Sequence, residues 1–327
     1  MLEFRLEGIN YKDLLKQFSE KLNVGIVNNR LEIPLSIGKG FIQVIDLPNG
    51  LHAFVSQIEF LTDVKFHLVK STEHFCTLHF NELELTDTNY LMSEAENALK
   101  QKEFRAGSSV ISSKEDIVYV MKAKSKSKSI RIILKESWVQ QNLKMNDEVM
   151  VLSDYATKNS ISHPIPFDAH NRMLFDEVFL SDPSSPMHQM ILKNRIMLLL
   201  EYFLSKLYRN IKAKEGPAVK KLKSSDLNKL MEVESILVRD FSTAPPTITM
   251  LAERTGMSVS KLKTAFKKVY GTGIYEYYQK NRMQKARTLL STGQYNVKEV
   301  GLHLGYTNLS NFSLAFKKEF GILPSQV

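Results

Sequence analysis

The amino-acid sequence predicts an α+β protein: an antiparallel β domain (barrel or sandwich), a helical region, and an all-α C-terminal domain. Three observations carry that expectation. Residues 41–134 break into short runs rich in β-branched and aromatic side chains, separated by turn signals. Residues 187–214 place apolar side chains at helical spacing. One helical module is written twice near the C-terminus. With 327 residues and 43% hydrophobic content, the chain can bury a core in each of two domains.

The expected strands are 41–46, 51–60, 64–69, 74–80, 116–121 and 130–134, with Pro48-Asn49-Gly50 marking one turn. Within them His67, His74, Cys76 and His79 lie close in sequence, and His74 and Cys76 share a strand face by alternation. A zinc-type site needs three or four convergent ligands with supporting partners. This short cluster falls short of that pattern and reads as structural histidines, so no metal or other cofactor is expected. The Lys-Ala-Lys-Ser-Lys-Ser-Lys run at 122–128 reads as a solvated hairpin loop.

A helix at 171–180 is stopped by the prolines and serines of 181–186, and a longer helix follows over 187–214. Its stripe includes Ile196, Leu199, Leu200, Phe203 and Leu207, while Met197, Leu198, Leu204 and Tyr208 add a second apolar face. A helix apolar on two sides needs cover on both, so the stripe is expected to serve dimerisation, with a helical hairpin inside one chain as the alternative. Gly216-Pro217 and the lysines around them mark a linker. The expected division is a β-rich domain 1–168, a helical dimerisation region 169–214, a linker 215–225 and a C-terminal domain 226–327. A first helix, 226–241, ends ahead of Ala244-Pro245-Pro246.

The duplicated module spans 247–271 and 296–321. Leu251, Ala252, Gly256 and Met257 align with Val300, Gly301, Gly305 and Tyr306 at an offset of 49. Leu262, Ala265, Phe266, Lys267-Lys268 and Gly271 align with Phe312, Ala315, Phe316, Lys317-Lys318 and Gly321 at an offset of 50. The second copy therefore carries one extra residue where its second helix begins. Each copy is a short helix stopped by glycine, a tight turn and a longer helix with a basic end, the pattern of a helix-turn-helix. Asn296 and Glu299 form a capping-box pair.

The net charge of +9 is concentrated there. Residues 224–327 hold 14 Lys and Arg against 8 Asp and Glu. From Lys261 to Arg287 only Glu276 opposes eight basic side chains. A basic stripe beside two helix-turn-helix units suits a polyanionic duplex. A single cysteine excludes an intramolecular disulfide, and no nucleophile elbow, phosphate loop or HExxH motif supports an enzyme. Glu3, Arg5 and Glu7 break any secretory leader, and no apolar run reaches membrane-spanning length, so a cytoplasmic protein without a membrane partner is expected.

Residues 247–326 resemble the DNA-binding domain of the AraC/XylS transcription regulators. The resemblance rests on Leu251-Ala252, Gly256, Ser260, Leu262, Phe266-Lys267-Lys268, Gly271, Tyr278, Arg282, Ala286, Leu289-Leu290, Val300, Gly305-Tyr306, Ser310, Phe312, Phe316-Lys317, Gly321 and Pro324. It implies two recognition helices joined by a rigid helix, here 274–290, that enter successive major grooves of double-stranded DNA. The residues placed at that surface are Ser260, Lys261, Lys263, Thr264, Lys267, Lys268, Asn308, Ser310, Asn311, Ser313, Leu314, Lys317 and Lys318. Lys and Asn can pair with base edges, Leu can touch a thymine methyl, and the Lys pairs suit phosphates. Arg282 is assigned to the scaffold, with a phosphate contact as the alternative. Thr264 and Leu314 stand where many members carry Arg, and Gly301 replaces the usual Ala, so the first helix is expected to carry more of the specificity. The resemblance further implies a cupin-like N-terminal domain for a small-molecule effector, a homodimer and contact with RNA polymerase. The order of elements is similar to the siderophore-responsive branch. The expected function is a ligand-responsive transcription activator, with control by a protein partner or non-specific nucleic-acid binding as the alternatives.

Overall fold

The computed structural model describes residues 1–7, 10–84, 91–92, 106–114, 116–143, 165–212, 222 and 224–327. The chain divides into two compact units, Met1–Ile165 and Pro166–Val327.

The first unit opens with β1 (Leu2–Leu6) and α1 (Tyr11–Leu22). α1 starts where Asn10 Oδ1 accepts from the Lys12 amide at 2.9 Å, and it ends at Asn23 in the left-handed conformation. It buries Tyr11, Leu14, Leu15 and Phe18, the i, i+3, i+4, i+7 stripe of an amphipathic helix. Then follow β2 (Arg30–Glu32), β3 (Gly38–Asp46), β4 (His52–Phe60), β5 (Val64–Leu68), β6 (Phe75–Glu84), β7 (Leu91–Met92), β8 (Ala106–Ser112), β9 (Ile117–Met121), β10 (Lys126–Lys135), α2 (Glu136–Leu143) and β11 (Ile165–Pro166).

These strands form a four-stranded sheet, β1-β5-β9-β7, and a seven-stranded sheet, β11-β8-β6-β10-β4-β3-β2. β1 and β5 are parallel; β5–β9, β9–β7 and the ladders from β8 through β2 are antiparallel. One core joins the sheets and α1: Phe4, Val64, Phe66 and Met121 from the small sheet meet Ile42, Val44, Phe54, Ile58 and Phe60 from the large one. Each expected strand is present within a few residues, and β1, β2, β7, β8 and β11 are additional. The lysine run is not simply a hairpin loop. β10 begins at Lys126, so Lys126 and Lys128 are strand residues 3.6 Å from Glu84 and Glu82. Lys122 lies 2.7 Å from Asp63, and Ser125 is fully buried.

The second unit is helical: α3 (Ala169–Leu180), α4 (His188–Lys212), α5 (Ser224–Arg239), α6 (Ile248–Thr255), α7 (Val259–Tyr270), α8 (Ile274–Ser291), α9 (Val297–His303) and α10 (Leu309–Phe320). The helices expected as a separate dimerisation region thus belong to the same compact unit as the duplicated module. The expected linker, 215–225, falls largely outside the described residues. Two cores lie in series along α8. Its N-terminal half gives Ile274, Tyr277 and Tyr278 to a core with α5, α6 and α7, and its C-terminal half gives Met283 and Ala286 to a core with α9 and α10.

α3 packs on α4 and α8. Arg172 of α3 donates to both oxygens of Glu234 on α5, at 2.8 and 3.0 Å, with both side chains almost fully buried. The Tyr277 hydroxyl donates to the same carboxylate at 3.0 Å. Ile196, Leu199, Leu200, Phe203 and Leu207, expected to serve dimerisation, are all buried within this one chain. A stripe already removed from water offers little area to a partner. No helix of the described residues is long and apolar enough to cross a membrane.

Candidate nucleic-acid interface

Each copy of the module is framed by side-chain caps. Thr247 Oγ1 accepts from the Met250 amide at 3.2 Å to start α6, and Gly256, at φ 59°, stops it. Two residues later Ser258 Oγ accepts from the Lys261 amide at 3.3 Å and starts α7. In the second copy Asn296 and Glu299 close a reciprocal box: Asn296 Oδ1 accepts from the Glu299 amide at 3.0 Å, and Glu299 accepts from the Asn296 amide at 2.8 Å. Gly305, at φ 73°, is followed by Asn308, which caps α10. The extra residue of the second copy lies in this turn. Inward, α7 buries Leu262, Ala265, Phe266 and Tyr270, and α10 buries Phe312 and Phe316. The repeated Phe and Ala positions are core, and the repeated glycines are turns.

What remains outward is the nominated surface. Ser260, Lys261, Lys263, Thr264, Lys267 and Lys268 are exposed along α7. Ser310, Asn311, Leu314, Lys317 and Lys318 are exposed along α10, with Ser313 half-buried. Leu314 is 67% exposed, high enough to show that this chain's own core does not account for it. Two assignments need refinement. Lys261 Nζ sits 2.8 Å from Asp226 Oδ1 of α5, so this ammonium is held by its own domain. Asn308 Oδ1 accepts from the Ser310 and Asn311 amides at 2.8 and 3.3 Å, which makes it a cap and leaves only its amide donors for a base edge. The residue type at the helix start signalled that cap, whereas nothing in the sequence signalled the Lys261–Asp226 contact.

Arg282 takes the scaffold role. Its Nε donates to the Leu304 carbonyl at 2.9 Å, at the end of α9, and its guanidinium stacks 3.9 Å from the Tyr306 ring. It ties the spacer helix to the turn of the second copy. Lys280 pairs with Glu276 at 2.9 Å, and that partner holds the Glu276 carboxyl below its ordinary range. Lys263, Lys267, Lys268, Lys317 and Lys318 make no ion pair among the described residues, so the outer faces of α7 and α10 carry uncompensated positive charge. In the first core, burial pushes the phenols of Tyr270 and Tyr277 well above their ordinary value, and the Glu234 charge adds to it.

His67, His74, Cys76 and His79 do not converge. His67 faces Asp116 at 3.3 Å, His74 is exposed, and burial pushes the Cys76 thiol up to about 11. No group of three His, Cys, Asp or Glu side chains able to hold a metal occurs among the described residues.

The comparisons with known proteins point to the same module. A family model described as a helix-turn-helix domain matches residues 251–327. The transcriptional regulator AlkR of Acinetobacter baylyi is 32% identical over 87 residues, covering 27% of this chain and 28% of that protein. The regulatory protein SoxS of Salmonella typhimurium is 30% identical over 81 residues, 25% of this chain and 76% of SoxS. A solved structure of a probable AraC family transcriptional regulator from Rhodopseudomonas palustris shares 30% identity over 30% of this chain and 93% of that one, with a TM-score of 0.27. The chain belongs to the AraC family of helix-turn-helix proteins. It spans about a quarter of the length of the first curated relatives: 28%, 24% and 29%.

Proposed function

We propose that the chain is a sequence-specific DNA-binding transcription regulator. One observation carries the reading: two capped helices present exposed basic, polar and apolar side chains while each is anchored by its own core to opposite halves of one spacer helix. Helices joined so firmly suit successive major grooves, about 34 Å apart on one side of a duplex. Ser260, Lys263 and Thr264 read bases in one groove, and Ser310, Asn311, Ser313 and Leu314 do so in the next. The lysine pairs at 267–268 and 317–318 neutralise phosphates. Lys261 reads bases only by leaving Asp226.

The N-terminal unit, with two sheets around one core, acts as a cupin-like sensor for a small-molecule effector. Homodimerisation uses a surface other than the interior stripe of α4, and activation proceeds through contact with RNA polymerase. Selection of bound fragments from random duplex DNA tests the central claim. The expected result is a motif with two half-sites one helical turn apart. Inserting about five base pairs between them puts the grooves on opposite sides and abolishes binding. Affinity that is equal for the selected motif, the half-turn insertion and scrambled DNA at physiological salt overturns the proposal.

A further inference from the structure

The inner face of the seven-stranded sheet is unexpectedly polar. Strand register sets His79 beside Arg131, and Arg131 beside Phe54. Two residues along, it sets Asn81 beside Ser129, and Ser129 beside Ser56. Alternation puts all of these on one face. That face points inward, because Phe54 belongs to the core shared with Phe66 of the other sheet and lies 5.3 Å from the Tyr11 ring of α1. Arg131 also reaches across: its Nη2 donates to the hydroxyl of Tyr119, on β9 of the small sheet, at 2.7 Å.

Several of these groups have no partner. Arg131 Nε, His79 Nε2, Asn81 Oδ1 and the Tyr11 hydroxyl are shut from solvent without a hydrogen bond, four of the five such side-chain atoms among the described residues. Arg131 and His79 keep part of their outer surface wet, yet these nitrogens do not. Arg131 makes no ion pair with a carboxylate among the described residues, and the Tyr119 hydroxyl is the partner its guanidinium has there. Burial and the Arg131 charge both hold His79 well below its ordinary pKa, so it stays neutral. An interior without a ligand normally satisfies such groups or replaces them with apolar ones.

We propose that this inner face binds a small organic acid, the carboxylate pairing with Arg131 and a hydroxyl or amino group of the ligand donating to Asn81 Oδ1. Arginine is suited to a planar carboxylate through parallel N–H donors. The Tyr11 hydroxyl and His79 Nε2 complete the polar wall, and Phe54 supplies an apolar one. This reading rests on the proposal that the N-terminal unit is the sensor, and it names the chemistry sensed.

The experiment measures thermal unfolding and calorimetric binding of the full chain with lactate, mandelate, 4-hydroxybenzoate and phenylalanine, each beside its carboxamide. At least one acid is expected to raise the unfolding midpoint of the N-terminal unit saturably while its amide does not. Arg131→Met is expected to weaken that acid at least about 100-fold, and Asn81→Ala about 10-fold. Should Arg131→Met fail to fold, Asn81→Ala and the acid–amide pairs carry the test. Silence from all four acids, amides that bind as well as acids, or undiminished binding to a folded Arg131→Met overturns the proposal. A mobility shift on the selected DNA, run on the same samples, reports separately on the regulator reading.

Discussion

Replacing Gly305 with alanine tests the packing logic of the second helix-turn-helix most sharply. Gly305 adopts φ 73°, where a side chain costs roughly 1–2 kcal/mol. A Cβ there also lands 2.3 Å from the Ser242 carbonyl oxygen and 3.1 Å from that of Phe241, both backbone atoms that cannot rotate away. Relieving such an overlap costs about 1–3 kcal/mol more. The total is therefore about 2–5 kcal/mol. Gly321 is the control: its φ of 74° is nearly identical, but open space surrounds its Cβ position. Gly321→Ala should cost only the conformational part. The single tryptophan, Trp138, lies in α2 of the first unit, so its fluorescence follows that unit, while far-UV circular dichroism is dominated by the helices of the second. In urea, Gly305→Ala should shift the dichroism transition and leave the fluorescence transition in place. Equal destabilisation by the two variants, within about 0.5 kcal/mol, would show that contact with residues 241–242 contributes nothing.

Glu234→Ala strands the Arg172 charge in the interior and should cost about 3–5 kcal/mol, whereas the double variant Arg172→Met, Glu234→Leu should cost much less, as urea titrations will read. Leu199→Ala should destabilise the chain by about 2–5 kcal/mol at every protein concentration; a loss that instead tracks dilution would return this side chain to a subunit interface. Lys263→Ala should relax discrimination at one base pair by about 1–3 kcal/mol, while Lys267→Ala should weaken all sequences alike and lower the slope of log affinity against log salt by about one. His79 is held neutral in the folded state, so its contribution is present above the unfolded histidine value of about 6.5 and is lost as pH falls toward its depressed folded value. The urea midpoint of the fluorescence transition should therefore fall on acidification below that value. An unchanged pH profile in His79→Gln would remove His79 as the cause.

Much of the second unit was legible in the sequence because short-range rules decide it. Gly256, Gly305 and Gly321 stop helices, Asn296 and Glu299 cap one, and the Phe266 and Phe316 positions repeat because both cores need the same knob. Other features depend on chain segments far apart. The α1 stripe of Tyr11, Leu14, Leu15 and Phe18 has helical spacing and was legible though overlooked, whereas β8, Ala-Gly-Ser-Ser-Val-Ile-Ser, has too few β-branched side chains to announce a strand. Helical spacing showed that the α4 stripe is buried but not by what. The Arg172–Glu234 pair joins residues 62 positions apart and has no local signature.

Gly301 shows how a local rule can point to the wrong cause. By propensity it weakens α9 relative to alanine by about 1 kcal/mol. In the fold, an alanine Cβ there would sit 2.7 Å from Leu309 Cδ2 and 3.2 Å from Phe312 Cδ1, the first side chains of α10 on that side. Its counterpart Ala252 is also buried, and the position that aligns with Leu309 is the smaller Val259. The glycine is thus matched to the leucine that opens the second recognition helix. From the first copy to the second the exchange of Ala–Val for Gly–Leu makes one residue smaller and the other larger. The inner positions of the two copies stay apolar or aromatic, while the outer faces differ in kind, with Lys261, Lys263 and Thr264 in the first copy and Asn311, Ser313 and Leu314 in the second.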